Sequence, residues 1–398
     1  MSSWLVDIFT TLVLGAAPPC RDRFLEPFSS ASVWNTAIGS EAHFSATNLF
    51  ASAARHPTQF HNDQDFFIRI DSNDPLTDWV DQGDWGKGDH CTVTGSVVSQ
   101  IRLPREWTSA SDCDGAAKSD ASNCRSKFNQ SNNNAMGVLL EDNATIVQMQ
   151  PAYRCGFGAP LLARFGNGTS DGCPQQFPNT TSIFGDGALG SHGGSGLSGV
   201  GGTIRSGELL PDAPPIAHAL KLELQHHWYY GLAKLAADSP YNGGRSQYVW
   251  PATGSDSGSE HTPGGLYGGT DPHVAPGALL AIPSAIAASV ATSTAIGAKL
   301  KAALTTYGGY IVDDTGGENS VAICMEADVN AEMRAHYSFA MTYPAGVSAS
   351  HADPGRALYA DLLAIFQNLH AVTNNAPGRV GGGGAPLAPT KPPICGAP

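Results

Sequence analysis

The chain has 398 residues, enough for a sizeable core, and its 41 % apolar content excludes a disordered polypeptide. Its net charge is −13, from 22 basic and 35 acidic residues, with no dense Lys/Arg cluster. That excludes the basic stripe of a nucleic-acid-binding protein and disfavours anionic membranes. Charged residues make up only 14 % and glycines number 46, a mixture that suits short strands joined by turns needing positive φ.

Residues 4–17 are the most apolar stretch. They fall short of the about 20 residues of a membrane-spanning helix, so no membrane span is expected. Gly15-Ala16-Ala17 resembles a signal-peptide cleavage site, yet no Lys or Arg precedes the run, Asp7 lies inside it and Pro18 follows it. The other reading is a retained arm over residues 1–20, rich in strand formers, that pairs with its own sheet or adds a strand to a neighbouring copy. Head-to-tail addition of that kind does not close and builds a filament.

Strands are predicted at 66–70 and 97–103, and a hairpin over 137–149 with its turn at 141–144. Residues 104–135 and 150–185 read as polar loops. The stretch 185–202 holds nine glycines. In 219–225, Leu220, Leu222 and Leu224 alternate with polar residues, the pattern of a half-buried strand. Helical spacing of Ile296, Leu300, Ala303 and Leu304 predicts a helix over 293–306, followed by a strand at 310–312. A second helix is predicted over 353–366, with Asp353 as cap, Pro354 in the first position and a stripe of Leu358, Leu362, Ile365 and Leu369. These elements define a mainly β fold, sandwich or jelly-roll-like, with a few helices in the C-terminal third. One β-rich domain over 21–378 is expected between the amino-terminal arm and a Gly/Pro-rich tail over 379–398, the latter a linker or extended arm.

The eight cysteines are Cys20, Cys91, Cys113, Cys124, Cys155, Cys173, Cys324 and Cys395. Their number is even and no Cys-x-x-Cys pair occurs, so four disulfides in an oxidising compartment are expected. Cys113–Cys124 and Cys155–Cys173 would each clip a polar loop; for Cys395, near the end of the tail, Cys20 is one candidate partner because both flank the body, and a cysteine of another chain is the other. Four Asn-x-Ser/Thr sequons, at Asn129, Asn143, Asn167 and Asn179, fall among turn-forming residues. Cysteines and sequons together predict an extracellular, N-glycosylated protein.

Chemistry-bearing patterns are sparse. Residues 194–199 match Gly-x-Gly-x-x-Gly, but loop precedes them and Gly201-Gly202 would spoil a following helix, so a tight backbone crossing is expected and no nucleotide cofactor. His218, His226, His227, Arg205 and Tyr229 or Tyr230 suggest a sugar cleft of the lyase type, although in a strand His226 and His227 face opposite sides. Glu223, Glu326, Asp313 and Asp328 are the carboxylates available to a glycosidase, with no pair singled out by spacing. Asp256, Glu260 and His261 lack the spacing of an established metal site, and neither a metal nor another cofactor is expected.

Two stretches carry a resemblance: Pro27-Phe-Ser-Ser-Ala-Ser-Val-Trp-Asn-Thr36, and residues 194–209 (Gly-Ser-Gly-Leu-Ser-Gly-Val-Gly-Gly-Thr-Ile-Arg-Ser-Gly-Glu-Leu) followed by Ile216-Ala-His-Ala-Leu220. They resemble a loose group of uncharacterised secreted β-rich proteins. The resemblance implies a setting and carries no catalytic residue. Two functions follow from the sequence. One is a structural glycoprotein that assembles with copies of itself through the amino-terminal arm into a filament. The alternative is a secreted carbohydrate-active enzyme, a polysaccharide lyase or glycoside hydrolase, using the 218–230 region.

Overall fold

The computed structural model describes residues 20–82, 93–109, 134–163, 166–168, 175–231, 247–256, 267–315, 319–342 and 346–397. Among these the chain is mainly β, with seventeen strands and five short or medium α-helices. The spine is β2 (Gln59–Arg69). Its first half runs parallel to β15 (Ser320–Glu326) and its second half parallel to β5 (Met136–Leu139). Beyond β15 lie β12 (Leu220–Leu224), β14 (Gly309–Asp314), β13 (Leu279–Ala281), β17 (His370–Val372) and β1 (Phe44–Ala46). Beyond β5 lie β6 (Thr145–Met149) and β11 (Asn179–Ser182), and β16 (Val347–Ser348) also pairs with β2, giving one 11-stranded mixed sheet.

Alternation along the strands sorts this sheet into two unlike faces. One face carries Leu220, Leu222, Leu224, Ile311, Val321, Ile323 and Met325. It packs against α3 (Ala295–Thr306) and α5 (Arg356–Gln367) through Ile296, Leu300, Leu304, Leu358, Leu362, Ile365 and Phe366. The other face carries Tyr310, Val312 and Cys324 and is covered by non-helical chain, notably Phe28, Trp34, Ile38, Leu197 and Val200. A second sheet, ordered β4 (Ser96–Arg102), β3 (Leu76–Asp81), β8 (Leu161–Ala163), β7 (Ala152–Tyr153), packs with the β2–β5–β6 region around Phe66, Ile68, Trp79, Leu103, Met136 and Met149.

The two motifs that carry the resemblance meet in space. Trp34 is buried and donates from its indole Nε1 to the carbonyl of Gly187 at 2.7 Å. A Cβ on Gly201 would fall 2.3 Å from that indole nitrogen, and one on Gly202 would fall 2.5 Å from its six-membered ring. The glycines are there because the backbone lies flat on the tryptophan.

Both ends of the described chain close on each other. Cys20 and Cys395 form a disulfide, Arg21 pairs with Ile394 as a parallel bridge, and Lys391 Nζ lies 2.6 Å from Glu26 Oε2. The Gly/Pro-rich segment is therefore extended chain held against the body. Gly381 and Gly382 are buried and Ser40 donates its amide to Ala385.

The hairpin forms with Met136 opposite Met149, and its turn places Asn143 at φ 52°. Asp142 holds that turn by accepting from the amides of Ala144 and Thr145, both at 2.9 Å. The strands expected at 66–70 and 97–103 lie in β2 and β4, and the first expected helix is α3, capped by Thr294.

Four expectations need correction. The second helix begins at Arg356 instead of 353, because Asp353 accepts from the amides of Ser348 and Gly355 and so holds a turn ahead of the helix. Helix α4 (Val329–Tyr337) was not anticipated, as polar residues interrupt its apolar spacing. The strand at 219–225 is buried on both faces, not half-buried. Cys324 is a free, buried thiol and not a disulfide half, since β15 turns it toward the polar interior. At most three of the four expected disulfides can then form within the chain. Cys155 is disulfide-bonded. Cys91, Cys113, Cys124, Cys173, Asn129, Glu260, His261 and the arm over 1–19 lie outside the described residues, as does the final residue of the tail. Asn167 lies in β9 (Gly166–Gly168), paired with β10 (Gln175–Phe177), and Asn179 begins β11 and donates from Nδ2 to Gly190.

Candidate functional site: a buried acid cluster and its rim

The site begins with the polar side of β12. Leucines at 220, 222 and 224 fill the helix-covered face, so Lys221 and Glu223 must point the other way. That face is sealed, and Lys221 and Glu223 are 0 % and 4 % exposed. Neighbouring strands add Asp63 and Asp65 from β2 and Cys324 from β15. A bulge between Leu222 and Glu223 sets Asp313 of β14 beside Glu223. The glycine-rich stretch 185–202 closes over this face and inserts His192, which is fully buried.

Within the sealed cluster, Lys221 Nζ lies 2.6 Å from Asp65 Oδ2, which also accepts from the Thr203 hydroxyl at 2.7 Å. His192 Nε2 faces Cys324 Sγ at 3.6 Å, Asp65 Oδ1 at 3.7 Å and Glu223 Oε1 at 3.8 Å, while its Nδ1 faces Asp313 Oδ2 at 3.6 Å. Cys324 Sγ lies 3.4 Å from Glu223 Oε1. The carboxyls of half-buried Asp63 and buried Glu223 share a hydrogen bond.

Four carboxyl groups around one lysine cannot all ionise in a dry setting. Burial, then the charge of Asp65, pushes Asp63 up to about 7. Burial and the Asp63 charge raise Glu223 well above the usual carboxylate range. Burial, helped by Lys221, takes His192 down to about 3, so its ring is neutral. Burial likewise raises the Cys324 thiol.

Asp313 links this sealed cluster to a rim that reaches solvent. One carboxylate oxygen each of Asp256, Asp313 and Asp314 lies within 4.8 Å of the other two. Asp256 and Asp314 are half-buried. Tyr267 donates its hydroxyl to Asp256 Oδ2 at 2.7 Å. Helix α1 (His226–Tyr229) begins where β12 ends, capped by Gln225, and brings His226 Nδ1 to 3.0 Å from Asp314 Oδ2. Burial, then the charge of Asp313, takes Asp256 up to about 8, and burial and Asp314 take Asp313 up to about 7. The hydrogen bond to Asp314 raises His226.

The same helical turn serves a pocket of about 360 Å³. Trp228 and Tyr229 form part of its wall, with Arg55, Asp271 and His273 supplying polar groups. The facing loop holds Asn48 at φ 51° and Phe50 at φ 56°. A bulky residue in that region is a genuine outlier that the surroundings must enforce.

The expected site residues therefore divide. Glu223, Asp313, Asp256 and His226 come together. His226 and His227 sit on a helical turn, not a strand, and His227 is exposed. His218 and Arg205 belong to another cluster: His218 Nε2 lies 3.1 Å from Glu208 Oε2, and Arg205 Nε lies 3.1 Å from Glu326 Oε1 while its guanidinium covers the rings of Phe24 and Phe67. Asp328 stands at the start of α4. The segment 194–199 is a largely buried crossing whose Ser198 carbonyl lies 3.4 Å from Lys221 Nζ of β12, and it opens no helix. Asp63, Asp65, Lys221, His192, Asp314 and Tyr267 were not anticipated. The one signal for them was a lysine and a glutamate in a strand that proves to be sealed on both sides. Comparison with known proteins finds no matching family, curated protein or solved structure.

Proposed function

We propose that this chain is an extracellular glycoprotein that cleaves polysaccharide by acid–base chemistry at the rim carboxyls. The observation that carries the reading is Asp256. Its carboxyl is kept protonated near neutral pH by burial and by the charge of Asp313, and it stands beside Asp314, whose Oδ2 lies 3.0 Å from His226 Nδ1. An acid that keeps its proton beside a second carboxyl paired with a histidine suits a general acid and its partner nucleophile. One oxygen of Asp256 lies within 4.8 Å of one oxygen of Asp314, close enough for the ~5–5.5 Å arrangement of a retaining pair.

In this reading Asp256 gives its proton to the glycosidic oxygen as the bond from that oxygen to the anomeric carbon breaks. Asp314 bonds to the anomeric carbon. Water then attacks that carbon, Asp256 takes the water proton, and Asp314 is released. The aromatic face of Trp228, on the turn that carries His226, is suited to stack on a pyranose ring. Support for the extracellular setting comes from the Cys20–Cys395 disulfide, the sequons at Asn129, Asn143, Asn167 and Asn179, and the resemblance of residues 27–36 and 194–220 to secreted proteins. Self-association through residues 1–19 is a separate proposal, tested by comparing the assembly state with and without that arm.

The test is release of reducing ends from a panel of neutral and acidic polysaccharides by the full chain. Asp256→Asn keeps the shape of the side chain and should lower the rate ~10²–10⁴-fold. Cleavage at an undiminished rate by the folded Asn variant refutes the assignment.

A further inference from the structure

We infer that His192, Cys324, Glu223 and Asp63 form a closed zinc site beneath the glycine-rich loop, distinct from the rim carboxyls. The four residues offer one nitrogen, one thiol sulfur and two carboxylate oxygens, all within 4.8 Å of one another. That is a donor set of the borderline-soft kind zinc takes, and structural zinc sites are closed and four-coordinate.

The spacing is more specific than the composition. A tetrahedral zinc bonded to sulfur at ~2.3 Å, to nitrogen at ~2.05 Å and to oxygen at ~2.1 Å has donor-to-donor edges of ~3.4–3.6 Å. The three edges here are 3.6 Å from Cys324 Sγ to His192 Nε2, 3.4 Å from Cys324 Sγ to Glu223 Oε1, and 3.8 Å from His192 Nε2 to Glu223 Oε1. Three of the four corners thus stand within a few tenths of an ångström of the geometry a zinc ion needs. Asp63 supplies the fourth.

A second, independent observation concerns His192. It is fully buried, yet its Nδ1 has no hydrogen bond and its Nε2 has only the Cys324 thiol at 3.6 Å, with the facing carboxylate oxygens of Asp65, Glu223 and Asp313 at 3.6–3.8 Å. Buried polar atoms are nearly always paired. Asp65 Oδ1, also buried and without a hydrogen bond, points at the same spot. Zinc on Nε2 would replace the weak thiol contact and fix the proton on Nδ1, which faces Asp313 Oδ2 at 3.6 Å as the outer carboxylate that commonly orients a ligating histidine. Charge agrees: among the described residues, Asp63, Asp65, Glu223 and Asp313 surround a single cation, Lys221, and a dication redresses the excess.

The test uses the full-length folded protein, stripped with a chelator and titrated with cobalt(II), then with zinc(II) in competition. One equivalent of cobalt should bind, with the visible d–d bands of a tetrahedral ion and a thiolate charge-transfer band in the near ultraviolet. Zinc should displace it and raise the melting temperature. Cys324→Ser should abolish the charge-transfer band. Should that variant not fold, Glu223→Gln, which keeps shape, should retain the band but weaken cobalt affinity at least tenfold. Absence of stoichiometric binding by the stripped wild type overturns the inference. So does an unchanged band in folded Cys324→Ser, or unchanged affinity in Glu223→Gln. Because these readouts are spectroscopic and thermal, they stand whether or not the rim carboxyls cleave polysaccharide.

Discussion

Replacing Lys221 with methionine tests the electrostatics of the sealed cluster most directly. The ammonium is fully buried, 2.6 Å from Asp65 Oδ2, and its other oxygen contact is the Ser198 carbonyl at 3.4 Å. With an effective dielectric constant of ~20, two unit charges at that separation attract by ~6 kcal/mol. Part of this offsets the cost of drying the ammonium, and breaking a buried pair by removing one partner costs ~3–5 kcal/mol in practice. Methionine fills the space of the stem, so the loss reports charge and not a cavity. In chelator-treated buffer, the guanidinium midpoint of the full chain should correspond to ~3–5 kcal/mol less stability at pH 8. The loss should shrink at pH 5, where Asp63 and Asp313, raised to about 7, hold protons and the cluster is less negative. Adding Asp65→Asn to Lys221→Met should restore much of the deficit, since the charge left unpaired is then gone. A single variant within ~1 kcal/mol of wild type at pH 8, or an equal loss at both pH values, refutes the picture of a dry cluster held by one lysine.

Two further outcomes follow from the same structure. The metal-stripped protein should lose stability as pH rises from about 6.5 to about 8. Asp63, Asp313 and Asp256 have folded-state values raised to about 7, about 7 and about 8, so in this window they hold protons that the unfolded chain has lost. The slope is then negative, by up to ~1.4 kcal/mol per pH unit for each fully differential proton. His192 and His61, lowered to about 3 and about 4, act in the opposite sense, but only below the ordinary histidine value. A flat or rising stability between pH 6.5 and 8 is the contrary result. Trp34→Ala should cost ~3–5 kcal/mol in denaturant melts, because the indole is enclosed and the backbone at Gly201 and Gly202 cannot collapse onto the space. A loss under ~1 kcal/mol would show that the two motifs do not support each other.

Local pattern made the strands and turns legible. Asp142 and Asn143 marked a turn that forms as expected, and the 296–300–303–304 spacing marked α3. The site was not legible in the same way, for a physical reason. Alternation in 220–224 reports that two faces differ, not that either is wet. Lysine and glutamate opposite a leucine face are ordinary on a solvent-facing strand, and only the chain folded over them makes them a charged interior. Asp63, Asp65 and Cys324 join Lys221 and Glu223 through pairings between β2, β15 and β12, which are 150 residues or more apart for β2 and no local signal encodes. Evenness in the cysteine count suggested complete pairing. Yet pairing needs two thiols in reach, and Cys324 faces a histidine and a glutamate instead.

The glycine run of 185–202 reads in sequence as turn material, but two of its positions, Gly193 and Gly194, are dictated by the rim carboxyls they cover. A Cβ on Gly193 would stand 2.4 Å from Asp313 Oδ2, and one on Gly194 would stand 2.9 Å from both oxygens of Asp256. Side chains there would push the rim carboxyls apart. Gly194→Ala isolates this effect once backbone strain is subtracted, and Gly207 provides the subtraction. Gly194 has φ 59° and Gly207 has φ 91°, so alanine is strained at both, by roughly 1–2 kcal/mol. At Gly207, however, nothing lies within 4 Å of the added carbon. Both variants should lose comparable stability in denaturant melts, while only Gly194→Ala should displace Asp256 and depress cleavage of whatever polysaccharide the wild type cuts. Equal effects on activity would reduce the glycine run to a matter of backbone conformation. A selective loss at Gly194 would mean that the loop is the wall of the site, and that its glycines keep two carboxyls within reach of one glycosidic bond.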